Sequence, residues 1–152
     1  MCFMGLLDVV DLHPDRLPHF PTVIGTRIPL KFILDLFSVG LQPSDVVEVF
    51  PDVDIGVALL IYNNRGFFKK CLKALKLVSV RREILCGIPT IRGTRIPIHM
   101  VYDMLDSGYI PYKILEEYSE LSLNTVRRLI RYRGIIEPLV RRIRERVLVE
   151  RG

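Results

Sequence analysis

The sequence has no tryptophan, only three cysteines, and no apolar run long enough to cross a membrane. A transmembrane helix needs about 20 consecutive, mostly apolar residues, so we expect no membrane partner. No basic segment precedes the apolar residues at the N-terminus, so we expect no secretion signal. Cys2, Cys71 and Cys86 are odd in number and lack the paired spacing of metal ligands. This pattern favours a reducing cytoplasm over a disulfide framework.

The signatures of common catalytic sites are also missing. The sequence has no glycine-rich phosphate loop, no nucleophile elbow and no pair of metal ligands at helical spacing. Its three histidines, His13, His19 and His99, are isolated from one another. We therefore expect no enzymatic activity, no cofactor and no bound metal.

The net charge of +5 conceals two halves of opposite sign. Residues 1–64 contain three basic and eight acidic side chains, whereas residues 65–152 contain nineteen basic and nine acidic ones. Such asymmetry indicates that the halves face different partners. A polyanion is the natural partner for the basic half.

One segment of the sequence recurs after 68 residues. Residues 21–29 (PTVIGTRIP) match residues 89–97 (PTIRGTRIP) at seven of nine positions, and the similarity extends to about residues 50 and 118. The repeat predicts domains at 1–64 and 79–134, a helical connector at 65–78, and a basic amphipathic helix at 135–152.

Each copy is predicted to hold a short strand and three helices. The β-branched residues before Gly25 and Gly93 favour strands, and each glycine permits a turn. Gly40 and Gly108 lie where a left-handed residue ends the first helix. The predicted helices cover 29–39, 43–50 and 55–64 in the first copy and 97–107, 111–118 and 122–133 in the second, with Pro29 and Pro97 in first turns and Ser122 as an N-cap.

The last two helices of each copy, joined by a tight turn, match the helix-turn-helix pattern. We therefore predict a mainly α fold with minor β, made of tandem three-helix helix-turn-helix units of the homeodomain-like or winged kind. These units would form a pseudo-dimer within one chain, in which the strands before Gly25 and Gly93 pair with each other.

The run Gly-Thr-Arg-Ile-Pro, followed by a helix, a glycine and an aromatic turn, resembles the domain of unknown function 433 family. The resemblance covers residues 83–132 and, as a second tandem copy, residues 10–62. It implies a small helix-turn-helix protein similar to VapB-like antitoxins, which bind an operator and capture a PIN-like ribonuclease toxin. Most members resemble single modules, whereas this chain has two.

The first copy differs from the second at its third helix. It is predicted to lack about two residues after Phe50, where this helix begins. The helix itself, residues 55–62, has no charged side chain. Because a helix that is apolar on every side is buried, we expect it to be a poor reader of DNA and a better dimer or toxin interface.

The third helix of the second copy is the predicted DNA-binding element. Val126, Leu129 and Ile130 form an apolar stripe, and polar side chains lie largely outside it. Arginine can bind guanine or phosphate, and asparagine can bind adenine; alternatively, this face is merely solvated. The predicted DNA-binding residues are Asn124, Thr125, Arg127, Arg128 and Arg131, together with Arg92.

Arg27 and Arg95 recur in an acidic and a basic copy. This recurrence favours a structural role, such as hydrogen bonding to backbone carbonyls or to a carboxylate near the helix start. Arg92 is replaced by Ile24 in the first copy, which makes it the better candidate for a phosphate contact.

The C-terminal helix is predicted to start at Glu137-Pro138. Its apolar stripe of Val140, Ile143 and Val147 either binds a toxin partner, as terminal segments of antitoxin-like proteins do, or packs on its own domain.

These observations predict a cytoplasmic, DNA-binding, antitoxin-like transcriptional repressor that binds its own promoter and neutralises a PIN-like ribonuclease toxin. The first alternative is a protein-interaction adaptor of the same fold that no longer binds DNA. The second, a basic RNA-binding protein, is disfavoured because the sequence has no evident aromatic stacking platform. A homodimer is compatible with each of these functions.

Overall fold

A computed structural model describes residues 5–16 and 20–151, with the backbone alone for Arg151. Cys2 and His19, named above, lie outside the described residues. The chain divides into two compact units, Met1–Lys73 and Ala74–Gly152. Helices dominate both units, and each unit contains one small antiparallel sheet, so the predicted mainly α fold with minor β is confirmed.

Each unit contains a two-stranded sheet followed by helices, as these bounds show. The first unit has a 3-10 turn (Leu6–Val9), strands β1 (Val10–Asp11) and β2 (Thr22–Val23), and helices α1 (Leu30–Ser38), α2 (Pro43–Val49), α3 (Ile55–Asn63) and α4 (Arg65–Leu75), which ends in the second unit. The second unit has strands β3 (Val78–Ser79) and β4 (Thr90–Ile91), a 3-10 turn (Leu85–Gly87), and helices α5 (Ile98–Asp106), α6 (Pro111–Glu117), α7 (Leu123–Arg131) and α8 (Arg133–Arg151).

The spacing of 68 residues holds through the third helix, since α3 begins at Ile55 and α7 at Leu123. The prediction that the first copy lacks about two residues after Phe50 is therefore wrong. Asp54 and Ser122 start the two helices at equivalent positions, and each side chain accepts a hydrogen bond from a backbone N–H in the first helical turn. The two caps differ in charge, which hides their equivalence in the sequence.

Each short sheet is formed within one unit. β1 pairs antiparallel with β2, with Val10 opposite Val23, and β3 pairs antiparallel with β4, with Val78 opposite Ile91. The prediction that the strands before the two turn glycines pair with each other is wrong, because each strand finds its partner upstream in its own unit. The partner strands are two residues long, too short for an alternating pattern to show.

The first helix of each unit ends as predicted at a left-handed glycine, with φ of +102° at Gly40 and +93° at Gly108. Each helix begins one residue later than predicted. Pro29 and Pro97 have extended backbone and occupy the N-cap position rather than the first helical turn.

Each unit also has a fourth helix, which the sequence similarity does not reveal. Arg65-Gly66 starts α4 and Arg133-Gly134 starts α8, again 68 residues apart. The predicted start of the C-terminal helix at Glu137 is wrong, and Pro138 lies inside α8. The guanidinium of Arg133 stabilises the earlier start because it bonds to both carboxylate oxygens of Glu137, at 3.1 and 3.0 Å.

The core of the second unit forms where α8 packs against α5 and α7. Burial of one large aliphatic side chain stabilises a fold by about 1.5–3 kcal/mol, so this contact holds α7 firmly in place. None of the helices in the two described ranges is long and apolar enough to cross a membrane. The fully buried side chains of this core include Ile98, Val101, Val126, Leu129, Ile136 and Ile143.

Candidate nucleic-acid interface

α7 is attached to its unit along one side. Val126 and Leu129 are fully buried, where α7 packs against α6 and α8. The Ser122 hydroxyl accepts a hydrogen bond from the backbone N–H of Thr125 at 3.1 Å, which confirms the predicted N-cap. Ile130, predicted to share the buried stripe, is 42% exposed because it lies at the margin of the side that faces the core.

The opposite side of α7 is exposed and basic. Asn124, Arg127 and Arg131 are exposed and lie three and four residues apart, so they share one helix face. Arg128 and Thr125, both half-buried, flank them. Within the described part of the chain, none of the three guanidinium groups on this helix forms an ion pair or a hydrogen bond. Their donors are therefore available to a ligand.

Arg92 lies close to this face, in a different environment from the helix arginines. It lines an open depression of about 410 Å³ together with Thr125. One Nη atom of Arg92 donates hydrogen bonds to the carbonyl oxygens of Leu75, at 3.3 Å, and Val78, at 3.1 Å. Burial lowers the pKa of Arg92. The side chain thus bonds to one carbonyl at the end of α4 and one in β3 while it lines the depression.

The recurring arginines, Arg27 and Arg95, do not have the predicted structural role. Both are exposed, and neither forms a hydrogen bond or ion pair among the described residues. A threonine closes each turn instead. The Thr94 hydroxyl donates to a backbone carbonyl at 2.8 Å and accepts from a backbone N–H at 3.0 Å. Thr26 makes the same two bonds at 2.8 and 3.1 Å. The hydrogen bonds within each turn are thus made by a threonine and not by the arginine that follows it.

α3 occupies in the first unit the place of α7 in the second. Ala58 and Ile61 are fully buried, but Ile55 and Leu59 are 46% and 45% exposed. The prediction that this helix is buried on every side is wrong, because its contacts with α1 and α2 leave one side open. The outcome is an exposed apolar helix face.

The depression beside α7 has no basic equivalent in the first unit. Acidic side chains at the corresponding place would repel a polyanion. The first unit has Asp8, Ile24 and Asp54 at the positions of Lys76, Arg92 and Ser122.

A second cavity, of about 180 Å³, lies between α5 and α8. Arg133 crosses between these helices, with a nitrogen 2.7 Å from a carboxylate oxygen of Asp106. The Nδ1 atom of His99 is buried and has no hydrogen-bond partner among the described residues. Burial and the nearby charge of Arg144 lower the pKa of His99, while Asp103 acts in the opposite direction. No sequence signal marks this cavity, because its residues are far apart along the chain.

The structure places the predicted partner-binding stripe inside its own unit. Val140, Ile143 and Val147 are 2%, 0% and 6% exposed, and α8 contacts α5 and α7. Packing on its own domain is the alternative that the sequence leaves open. A partner could reach these three side chains only if α8 left its unit.

Comparison with known proteins relates part of the second unit to a protein family. No curated protein and no solved structure matches the chain significantly. The matched segment begins at β3 and ends just after α7, so it contains the Gly-Thr-Arg-Ile-Pro turn, the exposed arginines of α7 and the residues that line the depression except Lys76 and Leu77. Residues 78–132 match the model of the family described as protein of unknown function (DUF433), which supports the predicted resemblance for the second unit.

Proposed function

We propose that this protein is a DNA-binding, antitoxin-like transcriptional repressor that contacts DNA through the exposed face of α7. The observation that carries the proposal is the set of three arginines on α7 that have no partner in the described part of the chain. Three guanidinium groups within one and a half turns of an exposed helix face concentrate positive charge without neutralisation by a carboxylate of the described residues, which suits a polyanionic ligand. Asn124, on the same face, adds a side chain that can bind an adenine edge.

The helix is well placed for groove binding. Two buried residues fix α7 to its unit, and α6 precedes it across a short turn. In a helix-turn-helix protein the second helix enters the major groove and the first lies across the backbone. Arg92 and Lys76, at the depression beside the amino end of α7, would then contact flanking phosphates.

The toxin-binding part of the proposal rests on the family resemblance. The partner it implies is a PIN-like ribonuclease. Since the predicted stripe is buried, the apolar side chains that α8 offers instead are Leu148 and Val149, which are 61% and 79% exposed. We propose these two residues as the contact with the nuclease.

A protein-interaction adaptor is the second candidate function, and α3 favours it. An uncharged helix with two half-exposed large aliphatic side chains is typical of a protein interface rather than of a DNA reader. The two functions are compatible if the units divide them, with DNA bound by the second unit and protein by the first.

The deciding experiment is a fluorescence titration of the protein's own promoter duplex, repeated over a series of salt concentrations. R127A and R128A should each weaken binding and reduce the salt slope by about one unit. The matched control is R141A, which removes the same charge from an exposed position on α8 and should leave the slope unchanged. Promoter binding no tighter than that of scrambled DNA, or R127A and R128A equal to the control, would leave the adaptor as the better function.

A further inference from the structure

α4 carries positively charged side chains on the side opposite its buried face. Phe68 and Cys71 are fully buried, whereas Lys69, Lys70 and Lys73 are exposed. Residues three and four apart lie on the same face of a helix, so the three lysines share one surface. We call Lys69, Lys70 and Lys73 the α4 lysine stripe.

The positive charge of the α4 lysine stripe is concentrated. None of its three lysines forms an ion pair or a hydrogen bond within the two described ranges. Residues 55–82 contain no aspartate or glutamate, so the stripe also has no acidic neighbour along the chain. Four of the six lysines of the protein lie within residues 69–76. The stripe is therefore a surface with a strong preference for a polyanion.

The fourth helix of the second unit has carboxylates where α4 has none. Arg133 of α8 pairs with Glu137 and with an aspartate of α5. In the first unit the equivalent residues are Arg65, Lys69 and Ser38, so the arginine is kept and both carboxylates are absent. Because like charges four residues apart destabilise a helix, a lysine at position 69 does not serve the stability of α4. A bound polyanion would offset this repulsion.

The length of the charged surface suits a nucleic-acid backbone. Arg65 is exposed and lies one turn before Lys69 on the same side of α4. A helix rises about 1.5 Å per residue, so Arg65 and Lys73 lie about 12 Å apart along its axis. One strand of duplex DNA carries a phosphate about every 3.4 Å along its axis. These cations can therefore face about three successive phosphates of one strand.

The side chains of α4 favour a phosphate backbone over a membrane or a protein partner. None of the large apolar side chains of α4, all of which the structure describes, is exposed, whereas a helix bound to a lipid surface inserts such side chains. Lysine is depleted at protein interfaces, since its ammonium group is strongly hydrated. A nucleic-acid backbone needs only the charges.

We propose that α4 is a second nucleic-acid-binding element of this protein, which contacts the phosphates of a duplex through the α4 lysine stripe without reading the base sequence. Each ammonium group that neutralises a phosphate releases a counterion, and this release drives the binding. The contact differs from that of α7, whose arginines and asparagine can bind base edges. It does not require DNA binding by α7, so the inference goes beyond the proposed function.

The test is a fluorescence titration of the full-length protein with a DNA duplex of scrambled sequence, over a series of salt concentrations. K69Q/K73Q removes two charges of the stripe and should reduce the salt slope by about two units. K31Q/R141Q is the matched control, because it removes the same charge from exposed positions on α1 and α8, and should leave the slope unchanged. Equal slopes for the two folded variants, as checked by circular dichroism, would overturn the proposal.

Lysine acetylation provides a second readout on the natural protein. The protein is acetylated with and without the scrambled duplex, and mass spectrometry identifies the modified lysines. The duplex should protect the three lysines of the stripe several-fold, whereas Lys31 should react equally in both samples. An RNA duplex of the same length, used in parallel, identifies which of the two backbones protects them better. Protection by phosphatidylserine vesicles but by neither duplex would overturn the proposal in favour of a lipid surface.

The promoter duplex separates this inference from the proposed function. If both are correct, K69Q/K73Q weakens binding to the promoter and scrambled duplexes by the same factor, whereas R127A weakens promoter binding more. Equal affinity for the two duplexes, with a salt slope that falls in K69Q/K73Q, would support the stripe and contradict the proposed repressor. A preference for the promoter, with a slope that K69Q/K73Q leaves unchanged, would contradict the stripe alone.

Discussion

The guanidinium of Arg133, at the start of α8, lies over the aromatic ring of Tyr102 in α5, with its carbon 4.8 Å from the ring centroid. Hydrogen bonds to Glu137 and Asp106 raise the pKa of Arg133, and burial raises that of Tyr102. The arginine therefore stays charged and the tyrosine neutral. In the first unit Arg65 takes the position of Arg133, and its guanidinium carbon lies 4.0 Å from the ring centroid of a different tyrosine, Tyr62.

Arg133→Ala removes this link between α5 and α8. We expect it to lower the free energy of unfolding by about 1–2 kcal/mol, because a stacking contact and charge-assisted hydrogen bonds are lost together. Urea denaturation followed by circular dichroism measures the change. R131A is the control and should have almost no effect, because Arg131, two residues earlier, is exposed and has no partner among the described residues. Equal stability of the two variants would contradict this role of Arg133.

Tyr102→Phe tests the buried hydrogen bond that the tyrosine hydroxyl donates to the Leu129 carbonyl at 2.9 Å. The bond joins α5 to the last part of α7. Its loss should lower the free energy of unfolding by about 1 kcal/mol, and amide hydrogen exchange should become faster near the end of α7. Leu34 stands at the equivalent place in the first unit, so L34M there is a size-matched control that should leave exchange in α7 unchanged.

His99, which is half-buried with its Nδ1 atom enclosed, predicts a pH dependence of stability. Its pKa in the folded protein lies below the ordinary value of 6.5, so between these two values the unfolded chain binds more protons than the folded one. The free energy of unfolding should therefore fall as the pH drops below 6.5, until the pH reaches the folded pKa. Below that value both states are protonated and this contribution stops changing.

Urea midpoints of the natural protein and of H99Q, measured across this pH range, check the prediction. The natural protein should lose more stability than H99Q on acidification, because glutamine does not titrate. If the urea midpoints of the natural protein and H99Q changed with pH in parallel, protonation of His99 would make no contribution to the pH dependence of stability.

Features that depend on near neighbours were predictable from the sequence. The cap at Ser122 and the left-handed residue at Gly108 each depend on contacts within one helical turn. β1 and β3 were not predictable, because two residues show no periodicity and their partners lie more than ten residues away. Helices were predicted at 65–78 and 135–152, but their equivalence was obscured because no residue of 67–75 is identical to its counterpart in 135–143.

In the candidate site, too, features set by near neighbours were predictable from the sequence, whereas those set by distant residues were not. The exposed arginines of α7 could be chosen by helical spacing, because Val126 and Leu129 define the buried side. Recurrence in both copies predicted carbonyl bonds for Arg95 and a phosphate contact for Arg92, but the partners of two arginines in one turn depend on the path of the backbone, which recurrence does not reveal. The structure assigns backbone carbonyls to Arg92 and none to Arg95 within the described residues.

The turn that contains Gly-Thr-Arg-Ile-Pro supplies the last prediction. Thr94→Val keeps the shape of the side chain but removes both hydrogen bonds that the hydroxyl makes within the loop. One of these bonds satisfies a backbone N–H, so we expect the free energy of unfolding to fall by about 1–2 kcal/mol. T26V should have a similar effect in the first unit, since Thr26 makes the equivalent bonds.

R95A and R27A are the matched controls for the threonine variants, one residue further along the same turns. Because both arginines are exposed and lack partners in the described part of the chain, each change should alter stability by less than about 0.5 kcal/mol. Thermal and urea denaturation of the four variants measure whether the threonines or the arginines stabilise the two turns. Arginine variants as unstable as the threonine ones would mean that the guanidinium groups hold the turn. Stable arginine variants would leave recognition of a ligand as the reason why both units keep an arginine here.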